Sequence, residues 1–353
     1  MKCVAIDLFC GIGGLTYGVQ KAGIDVVAGI DADSTCKYSY EANNNSIFIN
    51  KSIEDLGVQE LEKLYPENSY KVLMGCAPCQ PFSSYSRRYI KDGHKDNKWK
   101  LLYYFIDLVE RIMPDIVSME NVPQLSKTIV FEDFLKRLKE MHYEISWKIV
   151  KCTDYGVPQC RNRLVLLASK LGDIQLIKPL YNEKTYLTVA DAIKKLPPLK
   201  DGEISKDDPL HRTSKLSERN KERIKQSVPG GTWQDWSDDL KLQCHKKNTG
   251  KGYRAVYGRM EWNKPSPTIT TQFYGYGNGR FGHPEQDRAL SLREGAILQS
   301  FPSNYKFIDK QNPQTNRQLG IHIGNAVPVE LGVAIGRSIV EHLKSMEGGN
   351  NGE

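Results

Sequence analysis

Two cysteines three residues apart lie in a turn that follows an apolar run, Gly75-Cys76-Ala77-Pro78-Cys79-Gln80-Pro81-Phe82-Ser83. Such a pair can bind zinc, cycle as a redox dithiol, or carry one nucleophile. Zinc needs a second ligand pair, yet Cys152, Cys160 and Cys244 are scattered, with no histidine at matching spacing. A dithiol needs a helix N-terminus directly after its first cysteine, and the prolines at 78 and 81 oppose that geometry. The third reading makes Cys79 a lone thiol nucleophile in a proline-stiffened turn, with Cys76 packing the preceding strand.

Three other groups could work beside it. Asp7-Leu8-Phe9-Cys10-Gly11-Ile12-Gly13-Gly14 ends a short apolar run at glycines, which let backbone approach a ligand and turn into a helix whose first amides face it. A dinucleotide fingerprint would need glycine where Thr16 stands; Asp31, 20 residues after Gly11, can accept from both hydroxyls of a ribose. A nucleoside-bearing ligand without a pyrophosphate follows. Glu120, in Met119-Glu120-Asn121-Val122, is a carboxyl at the mouth of another apolar run, placed to deliver a proton. Arg161 and Arg163 alternate into Leu164-Val165-Leu166-Leu167, and two guanidiniums on one side can hold an anion or a base edge, though one of them can equally serve a structural ion pair.

The elements that must position these groups are strands and helices in alternation. Val4–Phe9, Val26–Asp31, Lys71–Gly75 and Asp115–Met119 read as buried strands, with a strand over Glu144–Val150. Leu101–Met113, closed by Pro114, and the face of Phe131, Phe134, Leu135, Leu138 and Met141 read as helices. An α/β fold with a doubly wound, mostly parallel sheet is expected, and ligands of such sheets sit off the carboxyl ends of the strands. A late helix begins at Pro328 and runs through Leu331, Ile335, Ile339 and Leu343.

The 353 residues carry 49 Lys and Arg against 42 Asp and Glu, a net charge of +7, with 39% hydrophobic and 26% charged residues. Those values exclude wholesale disorder and a disulfide miniprotein. No signal peptide and no run of 18 apolar residues is evident, so no membrane association is expected. The eight cysteines read as thiols of a reducing, cytoplasmic compartment. Six of the seven net charges fall between Tyr181 and Pro265, which holds 18 basic and 12 acidic residues beside Trp233, Trp236, Tyr253, Tyr257 and Trp262. Basic, aromatic-bearing, loop-rich chain suits a surface that tracks phosphates, although a solvated basic face has the same composition.

In this order and spacing, D-L-F-C-G-I-G-G, G-C-A-P-C-Q-P-F-S, M-E-N-V, Y-G-V-P-Q-C-R-N-R and I-G-N-A-V-P resemble the motifs of the bacterial cytosine-C5 DNA methyltransferases of restriction-modification systems. Ser266–Thr271, Gly279-Arg280-Phe281 and Leu298–Pro302 are similar to bacterial members as well. The likeness runs from about residue 4 to 342, apart from roughly 181–260, which in that family is the variable target-recognition region. It implies a Rossmann-like S-adenosylmethionine-dependent catalytic domain over 1–178 plus 319–347, a smaller irregular DNA-recognition domain and hinge over 179–318, and a flexible tail over 348–353.

The resemblance implies roles residue by residue. Cys79 matches the nucleophile, Glu120 the acid that engages the base, and Arg161 and Arg163 the active-site arginines. Phe9, Gly11, Gly13, Gly14, Asp31, Ala32, Ile53, Leu101, Asn325 and Ala326 match the surroundings of S-adenosylmethionine, which leaves as S-adenosylhomocysteine. Ser52 stands where many members carry an acid for the adenine amine, and Ala32 where a larger residue packs on adenine. Gln80, Ser83, Arg87 and Arg88, with Lys246, Lys247, Arg254 and Arg259, are the expected contacts to double-stranded DNA. A monomer is expected, with a cognate restriction endonuclease acting separately. An RNA cytosine-C5 methyltransferase on the same scaffold, and a catalytically silent DNA-binding protein, are the alternatives.

Overall fold

The structure, a computed structural model, describes residues 2–78, 100–247 and 252–349. It divides into two compact units: Met1–Tyr155 with Asn162–Leu180 and Val327–Glu353, and Gly156–Arg161 with Tyr181–Ala326.

The first unit is built on a sheet of seven strands, β1 (Cys3–Leu8), β2 (Asp25–Asp31), β3 (Ile47–Asn50), β4 (Tyr70–Gly75), β5 (Ile116–Asn121), β6 (Glu144–Lys151) and β7 (Asn162–Ser169), in the order β3-β2-β1-β4-β5-β7-β6. Pairing is parallel from β3 to β5, and β7 runs antiparallel to both β5 and β6. The inner strands are apolar on both faces because helices cover both, and β5 is buried at all six positions. Edge strand β6 instead leaves Trp147 and Ile149 half exposed. The chain winds outward from β1 to β3, then returns to β4 and winds the other way. The crevice for a ligand therefore opens at the carboxyl ends of β1 and β4, which the register sets level by pairing Leu8 with Gly75.

Two helical layers hold that sheet. Lys100–Ile112 and Ile129–Glu140 lay Phe105 and Phe134 edge to face at 5.7 Å within the main core. Truncating either ring to alanine should cost about 3–5 kcal/mol. The helix Gly14–Lys21 packs against the late helix Val329–Gly349, so closely that a side chain at Gly18 would run into the backbone of Val329 and Gly332. Leu331, Ile335, Ile339 and Leu343 of the late helix are all buried. Within Asn316–Met346 an 18-residue window reaches a mean hydropathy of 1.3, long and apolar enough to cross a membrane, but 78% of that window is buried inside the protein, as core helices are.

The second unit is mostly irregular. Its described helices are short, among them Val189–Ile193, Glu218–Gln226, Gln243–Lys246, Leu292–Leu298 and Asn316–Asn325. Among the described residues its β pairings are isolated bridges such as Gln159 with Ser266 and Arg259 with Gly282. Local side-chain caps do the work that sheet packing does elsewhere: Thr188, Ser291 and Thr315 each form a reciprocal capping box, with Asp191, Glu294 and Gln318.

Candidate active site

At the end of β1 the chain enters the glycine turn through Phe9, whose φ of 61° is unusual for a side-chain-bearing residue, and through Gly11 and Gly13 at 51° and 84°. A Cβ placed on Gly11 would meet nothing within 4 Å, so open space lies over that turn. Gly13 caps the helix Gly14–Lys21 without a side-chain acceptor. The Gly11 amide donates to Asp31 Oδ2 at 2.8 Å, and the Asp33 amide to Oδ1 at 2.9 Å. Asp31 is thus anchored by one amide on each oxygen, at the end of a strand where a carboxylate can accept from a ribose hydroxyl. Asn50 holds the following turn by donating to the carbonyls of Asp31 and Ala32 at 3.0 and 3.1 Å. Ala32 is exposed, Ile53 is buried, and Phe9 and Leu101 pack partly buried against the core. Open backbone, an anchored carboxylate and apolar flanks fit a nucleoside.

Beneath this turn lies Asp7, 1% exposed. The Thr16 hydroxyl donates to its Oδ2 at 2.6 Å and sits 3.2 Å from the Tyr40 hydroxyl, while Oδ1 has no hydrogen-bond partner. Burial, with Asp31 adding to it, pushes the Asp7 carboxyl up to about 7.

The second cluster stands at the ends of β4, β5 and β7. Glu120, 2% exposed, lies opposite Val165 on β7, so Arg163, two residues along, shares its sheet face. Arg163 Nε is 2.8 Å from Glu120 Oε1, without an N–H aligned on it, so that oxygen keeps an open acceptor direction. The Cys76 thiol donates to Oε2 at 2.7 Å. Asn121 donates to the Ala77 carbonyl at 3.0 Å and accepts from the Val122 amide at 2.8 Å, tying the turn after β4 to the end of β5. Cys79, Gln80, Ser83, Arg87 and Arg88 lie outside the described residues.

Two expectations need correction. Arg161 does not share the strand of Arg163, because β7 begins at Asn162. It is 4% exposed within the second unit, where its guanidinium donates to the carbonyls of Ile269 and Gly324 at 3.0 and 3.1 Å, so it braces loops rather than standing open to an anion. Arg259 is not a DNA contact on a surface. It is 5% exposed, and its guanidinium donates to the carbonyls of Ile224, Ser227, His283 and Gln286 and to the Asp287 carboxylate, leaving no donor for a phosphate. Lys246, Lys247 and Arg254 are exposed. Asn325 is exposed at the end of its helix, and Ala326 caps that helix with its amide, which donates to the His322 carbonyl at 3.1 Å.

Three residues escaped the sequence reading. Cys76 is a hydrogen-bond donor to Glu120 rather than strand packing, and Asn121 ties the cysteine turn; both links span 44 residues of chain. Gln159, fully buried, donates to the Leu298 carbonyl and accepts from the Ile269 amide, fixing the loop that carries Arg161. Its only sequence signal was a polar residue two before an arginine.

A carboxyl paired with a guanidinium beside a cysteine turn, with an amide-anchored carboxylate at the end of a neighbouring part of the same sheet, could serve addition of a thiol to a polarised ring next to a nucleoside-bearing donor. Comparison with known proteins agrees. The sequence profile of the C-5 cytosine-specific DNA methylases matches residues 3–341. The chain is 49% identical over 349 residues to the Type II methylase M.HgiDII of Herpetosiphon aurantiacus, covering 98% of this chain and 97% of that one. It is 30% identical to the Type II methyltransferase M.Eco47II of Escherichia coli, over 96% and 79% of the two chains. In structure it is similar to a prophage-encoded DNA modification methyltransferase of E. coli, with a TM-score of 0.74 at 21% identity, covering 97% of this chain and 100% of that one. The fold, the clustered groups and a profile match spanning almost the whole chain lead to one assignment: this protein is a member of the C-5 cytosine-specific DNA methylase family.

Proposed function

We propose that this enzyme transfers a methyl group from S-adenosylmethionine to C5 of a cytosine flipped out of duplex DNA, through a transient bond between the Cys79 sulfur and C6. The observation that carries the reading is the buried Glu120 carboxyl, held by Arg163 at 2.8 Å on one oxygen and by Cys76 at 2.7 Å on the other, beside the turn that leads to Cys79.

Cytosine C5 is too weak a nucleophile to attack a sulfonium methyl. Addition of the Cys79 thiolate at C6 makes the ring an enamine, whose C5 is competent. Glu120, carrying a proton, donates to N3 and takes up the charge that develops as sulfur adds; Arg163 orients the carboxyl and reaches O2. Phe9, Gly11, Gly13 and Gly14 shape the floor of the cofactor site, Asp31 accepts from the ribose, and Ile53 and Leu101 line it; the motif resemblance assigns Asn325 and Ala326 to the same cofactor. Bound there, S-adenosylmethionine supplies an electrophilic methyl group. Loss of the C5 proton to water and β-elimination then free the thiol. The base must leave the stack first, at a cost of a few kcal/mol. Gln80, Ser83, Arg87, Arg88, Lys246, Lys247 and Arg254 contact the DNA.

The names of the relatives support a place in a restriction-modification system beside a separately acting endonuclease; a cytoplasmic location and a monomeric state are proposed from the sequence alone. The test is a duplex carrying 5-fluorocytosine, which cannot release its C5 substituent. The enzyme with S-adenosylmethionine should form a denaturant-resistant complex with this duplex and not with tRNA, and Cys79→Ala should form none. A complex that survives in Cys79→Ala, or methyl uptake by tRNA alone, would overturn the reading. Bisulfite sequencing of DNA from expressing cells would then identify the recognition site.

A further inference from the structure

We propose that Cys76 is a positioning residue of this centre, whose thiol fixes the orientation of the Glu120 carboxyl for its work on the base; this rests on the catalytic reading given above.

A carboxyl on a glutamate side chain rotates easily about its last bond, since that torsion is broad and roughly two-fold. Arg163 at Oε1 restrains one oxygen. The second restraint comes from Cys76, whose sulfur lies 2.7 Å from Oε2. With a partner on each oxygen the plane of the carboxyl is set. The thiol can hold it because its own backbone is held: the Cys76 amide donates to the Leu8 carbonyl at 3.3 Å, and the next carbonyl, at Ala77, accepts from Asn121 at 3.0 Å. The donor is thus tied to β1 on one side and β5 on the other, and the rotamer of Glu120 is referred to three strands at once.

Donation, rather than bulk, makes this claim testable by two variants. Cys76→Ala removes the donor, whereas Cys76→Ser supplies a hydroxyl that can donate in its place. Single-turnover methylation would be followed on duplex DNA carrying the site mapped by bisulfite sequencing, with saturating S-adenosylmethionine, and KM for DNA and cofactor measured beside it. Cys76→Ala should lose about ten-fold in the methyl-transfer rate, the loss expected for one buried hydrogen bond, with both KM values and the thermal midpoint little changed. Cys76→Ser should recover most of the rate. Parent-like speed in Cys76→Ala, equal slowness in both variants, or a KM that rises as the rate falls would each overturn the proposal while leaving the catalytic reading intact. A parent enzyme that puts no methyl on cytosine would overturn both.

Discussion

The two units of this molecule solve the same problem, satisfying buried backbone, by different means. In the first, seven strands pair with one another and the helices rest on an apolar core. The second has few regular elements, so its loop carbonyls need donors from elsewhere, and buried arginines provide them. Arg259 serves four carbonyls and Asp287, while Arg223 donates to Leu240 and lies over the rings of Trp236 and Tyr257. Arg288 clasps Glu294 with two bonds of 2.7 and 2.8 Å, and Arg293 clasps Asp208 at 2.6 and 3.0 Å. Guanidinium suits this use because its five donors are rigid and it does not lose its charge. Positive charge in a DNA-modifying enzyme is therefore of two kinds, and only the exposed kind is available to phosphate.

The sharpest way to break that contrast is Arg288→Met. Arg288 and Glu294 are both 1% exposed, and burial works against ionisation of Glu294 while its bonds to Arg288 hold it below the usual carboxylate range. Stranding that carboxylate should cost about 3–5 kcal/mol in urea unfolding, and pairing the change with Glu294→Leu should recover much of it. A loss under about 1 kcal/mol would show that guanidinium nets do not hold the second unit.

Next in size is a divergence with pH. Asp7 in the first unit is raised by burial from 3.8 to about 7, so the folded chain keeps a proton that the unfolded chain has released, and stability falls as pH rises through that window. His283 in the second unit, 2% exposed, is lowered by burial from 6.5 to about 4, consistent with its Nδ1 accepting from the amides of Glu285 and Gln286. There the unfolded chain takes up the proton first, so stability falls as pH drops through 6.5 toward 4. Asp7→Asn should raise the thermal midpoint by several degrees near pH 8, an effect on the order of a few kcal/mol that shrinks toward pH 4. An equal gain at both ends would refute the assignment.

Smaller effects sharpen the comparison further. Thr315→Ala, which deletes a capping box of the second unit, should cost about 1 kcal/mol in thermal unfolding. Lys246→Ala and Lys247→Ala, both at exposed positions, should leave stability within about 0.5 kcal/mol. Each should instead lower the salt dependence of DNA binding by about one unit of slope, read from affinity across a salt series. Unchanged slopes would remove these lysines from the DNA surface.

The same contrast explains what could be read from the chain in advance. β1, β2, β4 and β5 were legible because strands buried on both faces become apolar runs, and the late helix because Leu331, Ile335, Ile339 and Leu343 keep its period. β3 is four residues long with a half-exposed pattern, and no periodicity announces that β7 inserts antiparallel between β5 and β6. At the site, Glu120 stood out by its place after an apolar run. Arg161 was grouped with Arg163 because a spacing of two means one side only if a strand spans both, and β7 starts between them. Arg259 was read as a DNA contact because composition cannot tell a guanidinium that meets carbonyls from one that meets phosphate. The partnership of Cys76 with Glu120 depends on two strands lying side by side, which no local pattern encodes.

The glycine-mediated seat of the helix Val329–Gly349 on the helix Gly14–Lys21 has a consequence for biosynthesis. A ribosome must translate the whole intervening second unit before it delivers the segment that covers Gly18. At ordinary elongation rates that is a wait of roughly 10–30 s. Throughout that interval the nascent first unit lacks the helix that packs on Gly18, so synthesis interrupted upstream of Val329 releases a chain with an uncovered flank.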